Sequence, residues 1–497
     1  MGMTTRLSLI LTMCLPSAAL ALEMKAGVAK APITNDQPMV TVNGPVSQGT
    51  LKDIYARVLV LNDGRSRLVI VTYDLNCLDV ATPLLRKRVE KELGIDKSHL
   101  ILLATHNHNA PIQIVPENFQ YGHWLADKIF DLIQQAIATE RGPVKVELGV
   151  GDGYFIFSRG SAPVDYEIQV LKVSQGDQPL ALLFNHGTHP AQASENLIGP
   201  GHPGWAMDEV EASMPGVQAM YCDGVGGNQF VRGPGDYLKH MQRARDESPQ
   251  ALDAYMLQVT KYIARQLTIA TLKICNGEMI DVTGPITSSY EIFSLPLAPP
   301  MPEAEARKLA ETVPMDVDFV PYPHKDRETN WVRMLIRYYD EGLEFPTKTT
   351  DMVCTDDTYL VRKDDDRFLK KYENNIDDTY PSVYEETIVA KIGNMPFVAM
   401  QGEVCAPIGA RIKDAFRADG PIFVTAYMGE HNLYIPTREL VRQDAYQAQV
   451  IRIQYACPVG WDPSVEDEMV ANVVRMVQST LQTKDSQQPK PARPRRE

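Results

Sequence analysis

The chain has 497 residues and carries 49 Lys+Arg against 63 Asp+Glu, a formal net charge of −14. With 44% hydrophobic and 23% charged residues it has ordinary globular composition, which excludes a disordered, collagenous or coiled-coil protein. The acidic balance argues against a nucleic-acid partner, which needs a basic footprint, and the length allows roughly one to three domains of about 150 residues.

Residues 1–21 read as a secretory signal peptide. Arg6 is their only charge, an apolar run covers Leu7 to Leu15, and Ala19-Leu20-Ala21 supplies a small-x-small cleavage pattern. No later apolar stretch reaches the roughly 18 residues a spanning helix needs. The mature protein is therefore expected to be secreted or periplasmic, with no transmembrane segment. Cys14 leaves with the leader. Cys77, Cys222, Cys275, Cys354, Cys405 and Cys457 remain, an even set that permits disulfides. Their wide spacing is not that of a stapled scaffold, and Cys77, Cys222 and Cys275 sit in apolar runs that suit buried thiols. With no CxxC pair, a cysteine zinc cluster is not expected.

Residues 26–110 alternate strand and helix signals. Tyr55–Leu61 and Leu68–Tyr73 are β-rich runs joined by the turn signal Asp63-Gly64. Thr82–Leu93 reads as a helix ending at Gly94, and Leu100–Ala104 as a short buried strand. Thr105-His106-Asn107-His108 follows that strand, at the place where open α/β sheets build their sites. Gly122–Arg141 reads as a helix, then Val144–Val150, Glu167–Val173 and Leu180–Phe184 as strands, the last running into Asn185-His186-Gly187-Thr188-His189-Pro190. Met207–Met214 is a short helical stretch, and Val217–Tyr221 is a strand that ends in Asp223-Gly224-Val225-Gly226-Gly227-Asn228. Ala251–Ile274 is a long helix. Between about Leu295 and Glu386 prolines and charges rise and periodicity weakens, as in a surface insertion carrying two or three helices. Strands resume at Thr387–Ile392, Phe397–Gln401 and Pro421–Tyr427, with helices at Ala406–Phe416 and Val465–Leu481. The polar, proline-rich 484–497 reads as a disordered tail. The fold class is α/β, mixed sheets layered with helices, in one domain over 22–483, and no internal repeat is visible.

The chain has ten histidines, and His106, His108, His186, His189 and His202 gather at strand ends or beside them. Two such clusters can supply imidazoles to one metal from separate elements, and Zn²⁺ suits nitrogen and oxygen ligands. A His-x-His on one strand puts both rings on one face, which leaves one of them free for substrate. Asp74, after the second strand, is either support for His106 or a plain strand-end carboxylate. Gly226-Gly227-Asn228 is either an anion-holding backbone or a turn that needs glycine.

Ordered segments then carry a resemblance. Ala26–Thr34, Gln48–Arg57, Ala104–Pro111, Gln401-Gly402-Glu403 and Tyr434-Ile435-Pro436-Thr437, with Tyr446 twelve residues on, resemble the neutral/alkaline non-lysosomal ceramidase family in its N-terminal zinc domain. The resemblance covers residues 26 to about 480 and leaves no room for that family's C-terminal immunoglobulin-like domain. It implies a Zn²⁺ site made by His106, His189, Glu403 and Tyr434, with His186 the alternative to His189. It gives His108 a proton-carrying or substrate-contacting role, places Arg159 against substrate, and sets Tyr446 to stabilise charge on the reacting carbonyl. One departure counts against ceramide as substrate: the family's hydrolytic serine is missing, Gly226-Gly227-Asn228 standing in its segment. The expected protein is thus a zinc hydrolase using a metal-activated water on an amide or ester of a small-molecule substrate. The alternatives are a zinc enzyme acting on a glycan, glycoconjugate or other polar substrate, and a zinc-retaining binding protein without catalysis.

Overall fold

The computed structural model describes residues 23–483, apart from 160–161, 191–195, 316–318, 322–323, 356, 366–384 and 431–432. The expected leader 1–21 and tail 484–497 lie outside the described residues.

Three sheets follow one plan. In the first, Lys25–Pro32, Tyr55–Asn62 and Arg67–Tyr73 run antiparallel, and Leu100–Ala104 lies parallel to the last of them. Parallel neighbours need a crossover, here the helix Ala81–Leu93. The second sheet has Lys145–Asp152, Glu167–Gln175 and Gln178–His186 antiparallel, then Gln218–Asp223 parallel after the helix Gly201–Ser213. Ile280–Asp281 adds a short outer strand there. The third has Ile286–Phe293, Glu385–Ile392 and Met395–Met400 antiparallel, then Phe423–Thr425 parallel after the helix Ala406–Phe416. The repetition is of topology, without any repeat in sequence.

Period-two alternation decides which faces meet. Leu59, Ile70 and Leu103 of the first sheet join Leu171, Leu183 and Met220 of the second and Ile388, Phe397 and Phe423 of the third in one core between the sheets. The alternate residues pack on helices: Val58, Val71 and Leu102 with Leu85 and Ile129, Val398 with Ile412 and Val473, and Phe184 and Tyr221 with Met207 and Ile263. Buried amides join the sheets. Gln169 Nε2 donates to Ile422 O at 2.7 Å, and Gln169 Oε1 accepts from Val424 N at 2.9 Å. Asn185 Nδ2 donates to Val424 O at 3.0 Å. The open edge of Phe423–Thr425 is thereby satisfied. First and third sheets meet where Ala104 N donates to Tyr427 O at 3.0 Å and Gly429 N to Leu102 O at 2.8 Å.

Segment 295–386 is more than a surface insertion. Its helices Glu303–Ala310 and Asn330–Glu341 and the short hairpin Met352–Cys354 with Leu360–Arg362 carry their own apolar cluster, in which Met334, Tyr338, Val353 and Val361 pack with Ala456. The six cysteines are buried free thiols. Among the described residues, no helix is long and apolar enough to cross a membrane.

Candidate metal centre

The shared topology brings three strand ends together. His106 lies just past Leu100–Ala104 in the first sheet, His189 just past Gln178–His186 in the second, and Glu403 just past Met395–Met400 in the third. Glu403-Val404 then pairs in parallel with Tyr434-Ile435, which sets Tyr434 opposite Glu403. Each sheet supplies one donor, and the short pairing adds the phenol. His106 holds φ 54°, a left-handed conformation costly for a residue with a Cβ, at the turn that brings its ring to the centre.

The donor atoms converge. Glu403 Oε2 lies 3.2 Å from His106 Nε2 and 3.1 Å from His189 Nε2. Tyr434 OH lies 2.8 Å from His189 Nε2. A tetrahedral zinc with bonds of about 2.0–2.1 Å has donor-to-donor edges of about 3.3 Å, so these separations fit. His189 Nδ1 is 3.1 Å from Gln229 O, an acceptor only, so Nδ1 carries the proton and Nε2 presents a lone pair to the centre. His106 Nδ1 is held by the Asn76 amide at 3.0 Å. The face of Tyr427 lies 4.4 Å from the His106 ring, and Phe230 stacks on His189 at 4.6 Å.

Burial, opposed by Glu403, lowers the His106 pKa, so its imidazole is neutral near pH 7. Burial by itself raises the Glu403 carboxyl, but the His106 and His189 contacts outweigh it and hold the group well below the carboxylate range. A carboxylate at these distances from two imidazole nitrogens shares either a proton or a metal ion with them. The donor set therefore fits a divalent metal. Burial raises Tyr434 first, with the Glu403 charge second.

His108 Nε2 is 3.1 Å from His106 Nε2, and burial followed by the neighbouring His106 lowers its pKa far below the usual range. The donor atoms of His106, His108 and His189 lie within 4.8 Å of one another, so spacing alone admits His108 as an alternative ligand. A cavity of about 200 Å³ opens on this group, lined by His108, Glu403, Tyr434 and Tyr446 together with Asn76, Gln454 and Tyr455. Tyr446 is 41% exposed, and its hydroxyl accepts a hydrogen bond from Gln454 Nε2 at 2.6 Å. Arg159 is exposed beside the centre, its guanidinium 4.2 Å over the Phe230 ring.

His186 takes a different place. It ends its strand on the face of Leu182 and Phe184, its ring 4.7 Å from Phe155, where burial pushes its pKa down to about 4. His202 is buried in the helix Gly201–Ser213, pushed down to about 3 by burial and by His186. Asp74 does not reach His106. It pairs with Arg57 at 3.1 Å in a buried ion pair and accepts from Tyr55 N at 2.8 Å. Asn76, two residues on, holds the His106 ring instead.

The glycine segment is a packing device. A Cβ on Gly226 would fall 2.4 Å from Thr188 N and from Gly187 C, and one on Gly227 would fall 2.3 Å from Glu403 O. Gly227 N donates to Val404 O at 2.9 Å, and Asn228 Oδ1 accepts from Ala406 N at 2.8 Å at the start of a helix. These groups hold strand ends together, and a serine in this turn has no room at Gly226.

These elements make a mixed-sheet α/β fold whose strand ends form a histidine–carboxylate centre. That fold is the fold of the neutral ceramidases. The chain superposes on neutral ceramidase from Pseudomonas aeruginosa with a TM-score of 0.64 at 16% identity, over 93% of this chain and 75% of that one. A ceramidase complexed with C2 gives 0.62 at 16% identity, over 92% and 75%. No family model and no curated protein matches the sequence. The resemblance read from the ordered motifs is thus borne out at the level of fold.

Proposed function

We propose that the chain is an exported zinc-dependent hydrolase that cleaves an amide or ester bond of a small molecule other than ceramide. The observation that carries this reading is the convergence of His106, His189, Glu403 and Tyr434 on one point with His189 fixed as a lone-pair donor. Export rests on the leader-like residues 1–21. Those four side chains would hold the ion. When bound, zinc supplies Lewis acidity and lowers the pKa of a water from about 15.7 to about 7.

The remaining chemistry belongs to the chain. His108 lines the cavity and would carry the proton from the attacking water to the departing amine or alcohol, against a burial that disfavours its charged form. Gln454 occupies an acceptor position of the Tyr446 oxygen, which leaves the Tyr446 O–H to donate to the scissile carbonyl. Arg159, over the Phe230 ring that stacks on His189, would orient substrate. The crowded Gly226 removes serine attack from the options, which favours hydrolysis through an activated water.

The test is hydrolysis of an amide and ester panel by zinc-loaded protein. His108→Ala should keep its zinc and lose about 10²–10⁴-fold in kcat, the usual contribution of a positioned proton carrier. Loss of zinc from His108→Ala would make it a ligand and overturn its assigned role. A panel without any turnover by the zinc-loaded wild type would overturn the hydrolase reading.

A further inference from the structure

The cavity beside the centre takes part of its wall from segment 295–386. Arg327, in the short helical turn Lys325–Thr329, and Thr358 both line it. That turn packs against the helix Tyr446–Ile453, which brings Arg327 to the space faced by Tyr446 and Tyr455. Burial raises the pKa of both phenols, and the Arg327 charge opposes that rise at each, so its guanidinium lies near both.

Thr358 is the second observation. It is 2% exposed, and its Oγ1 has no hydrogen-bond partner among the described residues. A buried hydroxyl left unpaired costs about 1–3 kcal/mol, and Thr358 lines the cavity, so a ligand oxygen there would give this one the partner it lacks. Its backbone sits at φ 66°, where a β-branched residue is strained. Such strain concentrates at ligand clamps.

The cavity volume of about 200 Å³ lies below the roughly 300–1,000 Å³ of sites that enclose drug-sized ligands. A long apolar chain does not fit inside it. A guanidinium and a hydroxyl on residues that line one cavity match a carboxylate, with two planar oxygens that accept from both.

We infer that Arg327 and Thr358 form a subsite for the carboxylate of a small acylated substrate, which directs this chain towards N-acyl amino acids and similar acidic amides. The inference rests on the hydrolase reading and names its substrate class. Arg327 and Thr358 are specificity residues, separate from the groups that hold the metal.

The experiment is calorimetric binding to the zinc-loaded full chain, using N-acetyl-L-alanine and its neutral carboxamide, N-acetyl-L-alaninamide. Zinc content is measured on every sample. The wild type should prefer the acid at least tenfold. Arg327→Met should abolish the preference, Arg327→Lys should keep part of it, and Thr358→Val should reduce it several-fold, all with unchanged zinc and unchanged melting temperature. Equal binding of the two probes, binding of neither, or a preference that survives Arg327→Met would overturn the subsite. Failure of the parent reading looks different: zinc or hydrolysis is absent from the wild type while the acid preference persists.

Discussion

Single side chains decide what the centre can do. The backbone carbonyl of Gln229 fixes the His189 tautomer, and Asn76 holds the other imidazole. Without both contacts the rings are free to turn and their Nε2 atoms no longer meet at Glu403. Gly226 decides against serine chemistry by space alone, because a Cβ there falls 2.4 Å from backbone atoms of Gly187 and Thr188. Gly226→Ser should therefore cost about 1–3 kcal/mol in urea unfolding and add no activity. A variant as stable as the wild type that gains ceramide hydrolysis would show that the turn had room for the nucleophile.

Strands and helices carry the next level. The end strand Phe423–Thr425 and the residue before it depend on the side-chain amide of Gln169 for two backbone groups, Val424 N and Ile422 O. Gln169→Leu should orphan both and lower stability by about 2 kcal/mol or more, measured by chemical denaturation. A change under about 0.5 kcal/mol would mean that other groups or water replace the amide. Legibility in the sequence followed burial. Apolar strands such as Leu100–Ala104 and the striped helix Ala406–Phe416 were readable because period and turn residues agreed. Helix Tyr237–Glu247 buries none of its residues, so it offered no stripe to read. Strand Ile286–Phe293 shows no strand pattern in sequence because its middle is Thr-Ser-Ser-Tyr-Glu and only its ends are fully buried. The helix Tyr446–Ile453, only eight residues long, carries Tyr446 to the cavity. His106, His189, Glu403 and Tyr434 could be picked out through motif order. Asn76, Arg327 and Thr358 could not, because their roles arise from contacts between segments distant in sequence.

At the scale of the whole molecule, three sheets of one topology enclose a common apolar core, and each directs a strand end at the same point. A donor from each sheet makes the centre a product of the complete assembly, so a bound ion would tie the three sheets together and resist unfolding. The most direct test is metal content by elemental mass spectrometry, with wild type beside His106→Ala and His189→Ala. The account predicts close to one zinc per chain in the wild type and its loss in both variants. A wild type that holds no zinc after reconstitution, or variants that keep it, would contradict a metal centre at the meeting of the three sheets.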